Sequence, residues 1–192
     1  MISFSYIGKK GPKILLLHGL YSSSGAWLPS LKFFKDYQLT LVTIDYHKAI
    51  INNSLPDLMG KVLFTLSDHF EFVIGHSFGA LFLSKLALNS KKNIFIAPPF
   101  MASEFFFERY IKYIISKTKI QPNDIYYVVK EAVNMNNSTT LKLCASDTVF
   151  LPLSDEFFTY DESIHPVNYF AGTHSSIESA INAAFLSNKF LC

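Results

Sequence analysis

The stretch EFVIGHSFGALFLSKLALN, residues 71–89, decides the fold, and its centre, Gly75-His76-Ser77-Phe78-Gly79, fits the pattern G-x-S-x-G. Residues 71–74 are short and apolar, as a buried parallel strand is, and residues 80–89 carry leucines at helical spacing. The glycines at both ends of the pattern let strand and helix backbones pass closely while Ser77 takes a strained conformation. The pattern therefore predicts a nucleophilic serine held at the carboxyl end of a strand, where the N-terminus of a helix favours developing negative charge.

The composition limits the class of protein to which this chain belongs. Its 192 residues are 49% hydrophobic and 17% charged, which is typical of one globular domain with one core. The net charge of +2 is too small to indicate a nucleic-acid partner. The first residues lack the pattern of a signal peptide, and no apolar run is long enough to span a membrane. We therefore expect a cytoplasmic protein, in which the two cysteines form no disulfide.

Strand-like runs alternate with helix-like runs, which indicates an α/β fold with a mostly parallel sheet and helices on both faces. The strands are predicted at residues 2–7, 13–17, 39–44, 71–74, 93–97, 141–145 and 167–170. The helices of this alternating pattern are predicted at residues 27–35, 56–70, 78–89, 151–160 and 176–188. Between residues 97 and 141 the alternation stops, and two successive helices are predicted at 103–119 and 124–134. We expect a single domain over residues 1–192, in which residues 100–138 form a helical cap insertion.

Candidate partners for Ser77 follow two of the predicted strands. A serine hydroxyl needs a base to take its proton and a carboxylate to orient that base. Asp147 follows the predicted strand 141–145 by two residues, and His174 follows the predicted strand 167–170. Because the carboxyl ends of parallel strands meet at one edge of the sheet, the sequence predicts Ser77, Asp147 and His174 as a catalytic triad.

Other residues fit this chemistry less well. Asp155 lies in a predicted helix and Asp161 follows that helix, so neither ends a predicted strand. His165 precedes the last strand, and His76 would point away from the Ser77 hydroxyl. The sequence contains neither H-E-x-x-H nor clustered cysteines, and neither G-x-G-x-x-G nor a P-loop, so no metal, nucleotide or other cofactor is expected.

Ester chemistry at a serine also needs two backbone N–H groups that stabilise the negative oxygen of the reacting carbonyl. One is expected from Phe78, the residue after the nucleophile, and the other from the loop after the strand 13–17. Leu20 is the predicted donor in that loop, and Tyr21 is the alternative. We expect His18 to brace the loop through hydrogen bonds rather than to transfer protons.

On these motifs the chain resembles the α/β-hydrolase superfamily over nearly its whole length. The resemblance rests on His18-Gly19, the G-x-S-x-G pattern at 75–79, Asp147 and His174. It implies a serine hydrolase that cleaves a carboxylic ester through an acyl-enzyme. Within the superfamily, residues 18–27, HGLYSSSGAW, look like the esterases that cleave the methyl ester of pimeloyl-carrier protein in biotin synthesis.

The predicted cap carries the features that bear on the substrate. Its first helix is rich in Phe and Ile, which would suit an apolar tunnel, and its basic residues would suit an acidic acyl carrier protein. An equally simple interpretation is that these charges form the solvent-exposed face of a surface helix. The candidate substrate-binding residues are Tyr21, Phe106, Arg109, Tyr110 and Lys112.

Three other functions remain open. A general short-chain carboxylesterase or thioesterase would use the same residues. A lyase similar to the menaquinone-pathway enzyme would need arginines to hold several carboxylates, and Arg109 is the only arginine in the sequence. A non-catalytic binding module could keep the fold, but the complete set of serine, acid and histidine argues against it.

Overall fold

A seven-stranded sheet forms the centre of the computed structural model, which describes residues 2–8, 10–66, 68–137, 143–160, 167–187 and 190. The strands in chain order are β1 (Ile2–Ile7), β2 (Lys13–Leu17), β3 (Gln38–Ile44), β4 (Phe70–His76), β5 (Ser90–Ile96), β6 (Ala102–Phe105), β7 (Thr148–Pro152), β8 (Phe158–Tyr160) and β9 (Val167–Phe170). The spatial order in the main sheet is β1-β3-β2-β4-β5-β7-β9. Only β1, which pairs with β3, runs antiparallel to its neighbour in this sheet, as far as the described residues extend.

Helices cover both faces of the sheet, as the alternating pattern predicts. The helices are α1 (Tyr46–Ile51), α2 (Leu55–Thr65), α3 (Phe78–Ser84), α4 (Phe107–Lys117), α5 (Pro122–Asn137) and α6 (Ile177–Leu186), with 3₁₀ helices at Ser24–Phe33 and Pro99–Met101. Successive residues of β2 point to opposite faces. Leu15 and Leu17 pack in the core shared with α1 to α5, whereas Ile14 and Leu16 pack in the core shared with α6 and Trp27. No helix in the described part of the chain is both long and apolar enough to cross a bilayer.

Several predicted boundaries shift for local reasons. The helix predicted at 27–35 is a 3₁₀ helix over Ser24–Phe33 with Pro29 inside it. Pro29 has no N–H to donate to an α-helical ladder, so a regular α-helix cannot run through this segment. The short helix α1 was not predicted; the Asp45 carboxylate caps its start by accepting a hydrogen bond from the Lys48 N–H at 3.0 Å.

The largest correction concerns residues 141–160. Residues 143–145 form no strand, and residues 141–142 of the predicted strand lie outside the described residues. The strand in the sheet is β7, Thr148–Pro152, and the helix predicted at 151–160 is wrong because this segment contains the end of β7, a loop and β8. All five residues of β7 are buried, since it lies between β5 and β9. A strand that is buried on both faces is apolar almost throughout, which fits the run Thr148–Pro152.

The segment between β5 and β7 lies where the cap is predicted. It consists of the 3₁₀ helix Pro99–Met101, β6, α4 and α5. The helix predicted at 103–119 is shorter than expected, because β6 pairs antiparallel with β8 in a two-stranded ribbon before α4 begins. Residue 138, the last of the predicted cap, lies outside the described residues.

Candidate active site

Ser77 occupies a strained turn between β4 and α3. Its backbone angles are φ 52° and ψ −123°, a conformation that costs a non-glycine residue on the order of 1–3 kcal/mol. The two glycines of the motif permit the turn. A Cβ on Gly75 would lie 2.7 Å from the Ala80 Cα, and a Cβ on Gly79 would lie 2.4 Å from the His18 carbonyl oxygen. The packing of strand on helix therefore holds the Ser77 side chain at the carboxyl end of β4.

Two short hydrogen bonds connect Ser77 to a carboxylate. The Ser77 Oγ lies 2.8 Å from His174 Nε2, and His174 Nδ1 lies 2.8 Å from Asp155 Oδ2. An ionised carboxylate only accepts hydrogen bonds, so Nδ1 is the donor and Nε2 carries the lone pair that faces the serine. The side chains of His174 and Asp155 are only 5% and 2% exposed. The serine hydroxyl thus donates to a shielded base whose orientation the carboxylate determines.

Asp155, and not Asp147, is the acid of this arrangement, so the prediction of Asp147 is corrected. The Asp147 carboxylate accepts hydrogen bonds from Asn93 Nδ2 at 3.1 Å and from the Cys144 N–H at 2.8 Å. It closes a turn just before Thr148, at the amino end of β7, whereas Asp155 follows the carboxyl end of the same strand. The sequence signal that would have identified Asp155 is the apolar run of β7, which ends at Pro152 and is followed within three residues by this carboxylate.

The loop around Asp155 keeps this carboxyl ionised. Its Oδ1 accepts hydrogen bonds from the N–H groups of Phe157 at 2.8 Å and Phe158 at 3.0 Å, and its Oδ2 accepts one from the Tyr160 hydroxyl at 2.7 Å. Burial alone would raise the pKa of Asp155, but the hydrogen bonds from His174, Tyr160 and Phe157 together hold that pKa below its usual range. Asp155 therefore carries its negative charge at neutral pH.

Two further side chains hold the backbone of His174. The Glu156 Oε2 accepts a hydrogen bond from the His174 N–H at 2.9 Å, and the His76 Nε2 donates to the His174 carbonyl oxygen at 2.8 Å. Burial, followed by the proximity of His174, lowers the pKa of His76 to about 3, so His76 is neutral. Sequence reasoning missed the positions of Glu156 and Tyr160, because both depend on the loop after β7.

His18 braces the loop after β2, and this prediction is confirmed. Its Nδ1 donates to the Gly19 carbonyl oxygen at 2.8 Å, and its Nε2 accepts a hydrogen bond from the Ile44 N–H at 2.9 Å. Burial lowers the pKa of His18 despite the hydrogen bond to Gly19. Both ring nitrogens are therefore occupied by structural hydrogen bonds to the backbone.

The two predicted oxyanion donors, Leu20 and Phe78, line a cavity together with Ser77. Phe78 begins α3, and the first N–H groups of a helix have no partner within the helix. The Leu20 carbonyl oxygen accepts a hydrogen bond from the Tyr110 hydroxyl at 3.4 Å, which fixes the peptide group after Leu20. Tyr21 has a φ of 56°, so the chain turns sharply directly after Leu20.

Two cavities meet at Ser77. The first, which we call the apolar cavity, has a volume of about 150 Å³ and includes Leu20, Phe78, Phe105, Val129 and Phe158 in its wall. The second, which we call the histidine cavity, has a volume of about 220 Å³ and includes Gly19, Tyr21, Tyr113, Phe157 and His174. Leu20, Ser77 and Tyr110 belong to both walls.

The predicted substrate-binding residues divide into two groups. Tyr21 and Tyr110 line the cavities, whereas the cavity walls formed by the described residues do not include Phe106, Arg109 or Lys112. The Arg109 Nη1 donates to the Glu156 carbonyl oxygen at 3.1 Å, and its guanidinium lies 5.1 Å from the centre of the Phe106 ring. Lys112 is exposed on α4. Across the part of the chain that the structure describes, no group of three or more His, Cys, Asp or Glu side chains could hold a metal ion.

The topology and the position of Ser77 define a protein of the α/β-hydrolase fold with a hydrogen-bonded Ser-His-Asp triad. Among solved structures, the chain is similar to a marine microorganism esterase with a TM-score of 0.64 and 16% identity, over 96% of this chain and 98% of that chain. A covalent complex of the NocB thioesterase domain with a fluorophosphonate nocardicin G analogue gives a TM-score of 0.67 and 9% identity, over 97% and 98% of the two chains. Carboxylesterase CesB (YbfK) from Bacillus subtilis gives a TM-score of 0.63 and 16% identity, over 100% of this chain and 87% of that chain. No protein-family model and no curated protein matches the sequence, so these similarities establish the fold alone.

Proposed function

We propose that this chain is a serine hydrolase that cleaves carboxylic esters through an acyl-enzyme. The observation that carries the proposal is the hydrogen-bonded chain from Ser77 through His174 to Asp155, with spacings of 2.8 Å and 2.8 Å. The side chains of His174 and Asp155 are almost completely buried. Acyl transfer requires a nucleophile hydrogen-bonded to a base, and Ser77 and His174 form such a pair.

The reaction proceeds in two halves. His174 Nε2 takes the proton of Ser77 as its Oγ attacks the ester carbonyl, and the N–H groups of Leu20 and Phe78 donate to the oxyanion. His174 then gives this proton to the leaving alkoxide, and the C–O bond of the ester breaks to leave an acyl-serine. A water, deprotonated by His174, attacks the acyl-serine and releases the acid, and the proton returns to Ser77.

We expect the two cavities to receive opposite sides of the ester. The leaving oxygen must lie beside His174 Nε2 to receive the proton, so the alcohol occupies the histidine cavity and the acyl group occupies the apolar cavity. A cavity of about 150 Å³ holds a group about as large as benzene, which corresponds to an acyl chain of about six carbons. Among simple esters without a carrier, we therefore expect those of short apolar acids to be preferred over those of long-chain acids.

The experiment that tests this function measures both turnover and covalent labelling. The Ser77→Ala variant should lower kcat on p-nitrophenyl butyrate by a factor on the order of 10⁴–10⁶. A fluorophosphonate probe should label the native chain and should not label Ser77→Ala; Ser5→Ala, which changes an exposed serine on β1, is the control that keeps labelling. A folded native chain that does not react with the probe would support a binding module instead.

For the particular ester, pimeloyl-carrier-protein methyl ester is our specific candidate, on the resemblance of residues 18–27 and on the basic residues of α4. The Arg109 guanidinium is engaged with the Glu156 carbonyl oxygen, so Lys112 and Lys117, both exposed on α4, are the better candidates for contact with an acidic carrier. The test compares kcat/KM on the carrier-linked ester and on free dimethyl pimelate, before and after both lysines are changed to Gln. Equal kcat/KM values, unaffected by the substitutions, would exclude this candidate.

A thioesterase is the second candidate. The solved structures similar to this chain include thioesterase domains from the nocardicin and curacin pathways, each with low sequence identity. Matched oxygen and thiol esters of butyric acid distinguish the two activities, because they share the acyl group and differ only in the leaving atom. We expect the oxygen ester to be hydrolysed with the higher kcat/KM.

A further inference from the structure

The carboxylate of Asp155 receives a donor that a Ser-His-Asp triad does not require. Its Oδ2 accepts hydrogen bonds from both His174 Nδ1, at 2.8 Å, and the Tyr160 hydroxyl, at 2.7 Å. The other oxygen, Oδ1, is held by the N–H groups of Phe157 and Phe158. Because an ionised carboxylate offers only acceptors, the Tyr160 hydroxyl must be the donor in this contact.

We propose that Tyr160 is a positioning residue of the active site, whose hydroxyl fixes Asp155 Oδ2 in the direction of His174 Nδ1. This inference rests on the proposed function. The two backbone donors restrain Oδ1, and a donor on Oδ2 restrains the second oxygen, so the carboxylate plane cannot rotate away from the imidazole. His174 Nε2 then keeps its lone pair directed at Ser77.

The ribbon of β6 and β8 positions the Tyr160 hydroxyl. Tyr160 is the last residue of β8 and pairs with Ala102 of β6. Phe158, two residues earlier on β8, stacks on Phe105 of β6 with ring centres 4.8 Å apart, and its ring centre lies 5.1 Å from that of His174. The same strand therefore supplies an apolar wall beside the imidazole and a hydroxyl behind the carboxylate.

Tyr160 lies behind Asp155 and outside the walls of both cavities at Ser77. Its effect on the reaction must therefore pass through Asp155 rather than through contact with the substrate. Among the described residues, His76 on β4 and Glu156 in the loop before β8 are the other titratable groups that face the His174–Asp155 pair. Tyr21, Tyr110 and Tyr113 line the histidine cavity.

The first test is Tyr160→Phe, which removes the hydroxyl and keeps the ring that packs near Phe158. We expect kcat on p-nitrophenyl acetate and p-nitrophenyl butyrate to fall by about tenfold, equally for both esters, with KM unchanged. The acid limb of the pH profile of kcat/KM should move to higher pH. The reason is that the Asp155 carboxylate loses the hydrogen bond from Tyr160, which stabilises its negative charge. Tyr6→Phe, at an exposed position on β1, is the matched control and should leave these values unchanged.

The second test asks whether Tyr160 acts through Asp155. In an Asp155→Asn background, Tyr160→Phe should change kcat by less than about twofold, since the carboxylate that the hydroxyl positions is already gone. An equal loss in both backgrounds, or an unmoved acid limb in the single variant, would overturn the inference. A urea titration of each variant shows whether the loss of kcat occurs in folded protein.

Fluorophosphonate labelling separates failure of this inference from failure of the proposed function. If the native chain does not react with the probe, the serine hydrolase assignment fails, and the positioning role fails with it. If the native chain reacts and Tyr160→Phe reacts at the same rate, only the role of Tyr160 is refuted. We expect the native chain to react and Tyr160→Phe to react about tenfold more slowly.

Discussion

Replacing Asp155 with asparagine should reverse the hydrogen bond that orients His174. The Oδ1 of Asp155 accepts from two backbone N–H groups, so the Asn carbonyl oxygen will occupy that site. The NH₂ group must then occupy the Oδ2 site, 2.8 Å from His174 Nδ1. Two donors would face each other there, and the imidazole avoids this by moving its proton to Nε2. His174 can then no longer accept the proton of Ser77.

The expected loss is large because the base is held in the wrong tautomer. Asparagine at the acid position of a Ser-His-Asp triad lowers kcat by about 10⁴, which corresponds to about 5 kcal/mol of transition-state stabilisation. The shapes of Asp and Asn are nearly identical, so KM and the folded structure should change little.

Asp147→Asn is the matched control for Asp155→Asn. The Asp147 carboxylate accepts hydrogen bonds in a turn at the opposite end of β7, and we expect kcat to stay within about twofold of the native value. The assay is steady-state hydrolysis of p-nitrophenyl butyrate, with circular dichroism to verify folding. If Asp147→Asn loses activity and Asp155→Asn keeps it, the assignment of Asp155 is refuted.

Two further predictions concern stability. Gly79→Ala places a Cβ 2.4 Å from the His18 carbonyl oxygen and should lower the free energy of unfolding by about 3 kcal/mol, whereas Gly60→Ala, in open space on α2, should raise it by about 0.5–1 kcal/mol. Urea titration measures the unfolding midpoint of each variant. Equal midpoints for Gly79→Ala and Gly60→Ala would contradict the close packing at the motif. The folded chain keeps His76 neutral with a pKa of about 3, while the unfolded chain takes up a proton below about pH 6.5, so stability is retained above pH 6.5 and lost as the pH falls. Between pH 7 and 5.5 this proton uptake should lower the free energy of unfolding by about 1 kcal/mol. His76→Gln should flatten the dependence of that free energy on pH. An unchanged dependence would refute the assignment of His76 as a buried neutral group.

The turn at Ser77 could be predicted because its determinants are local. The apolar run of β4, the helical spacing of α3 and the two glycines all lie within residues 70–84, and each restricts the backbone without help from distant residues. His174 was also found, since it follows β9, a strand whose position was predicted correctly. The bracing role of His18 followed from its place at the end of β2.

The acid could not be located in the same way, because its position depends on which neighbouring run enters the sheet. Residues 141–145 alternate like a half-buried strand, but the burial of β7 between β5 and β9 selects the apolar run Thr148–Pro152. Tyr160 depends on the pairing of β8 with β6, two strands far apart in sequence. Arg109 has a long side chain, and its contact with Glu156 is set by the tertiary structure.

Asp155 and Glu156 are neighbours in sequence, yet one accepts a hydrogen bond from the ring of His174 and the other from its backbone N–H. The loop after β7 and the loop after β9 are thus joined at one residue by two separate bonds. A one-residue deletion between Pro152 and Asp155 would move Glu156 to the position of Asp155 and disrupt both bonds together. In protein engineering, residues 153–157 and residues 171–176 consequently have to be replaced together, with both loops taken from the same protein.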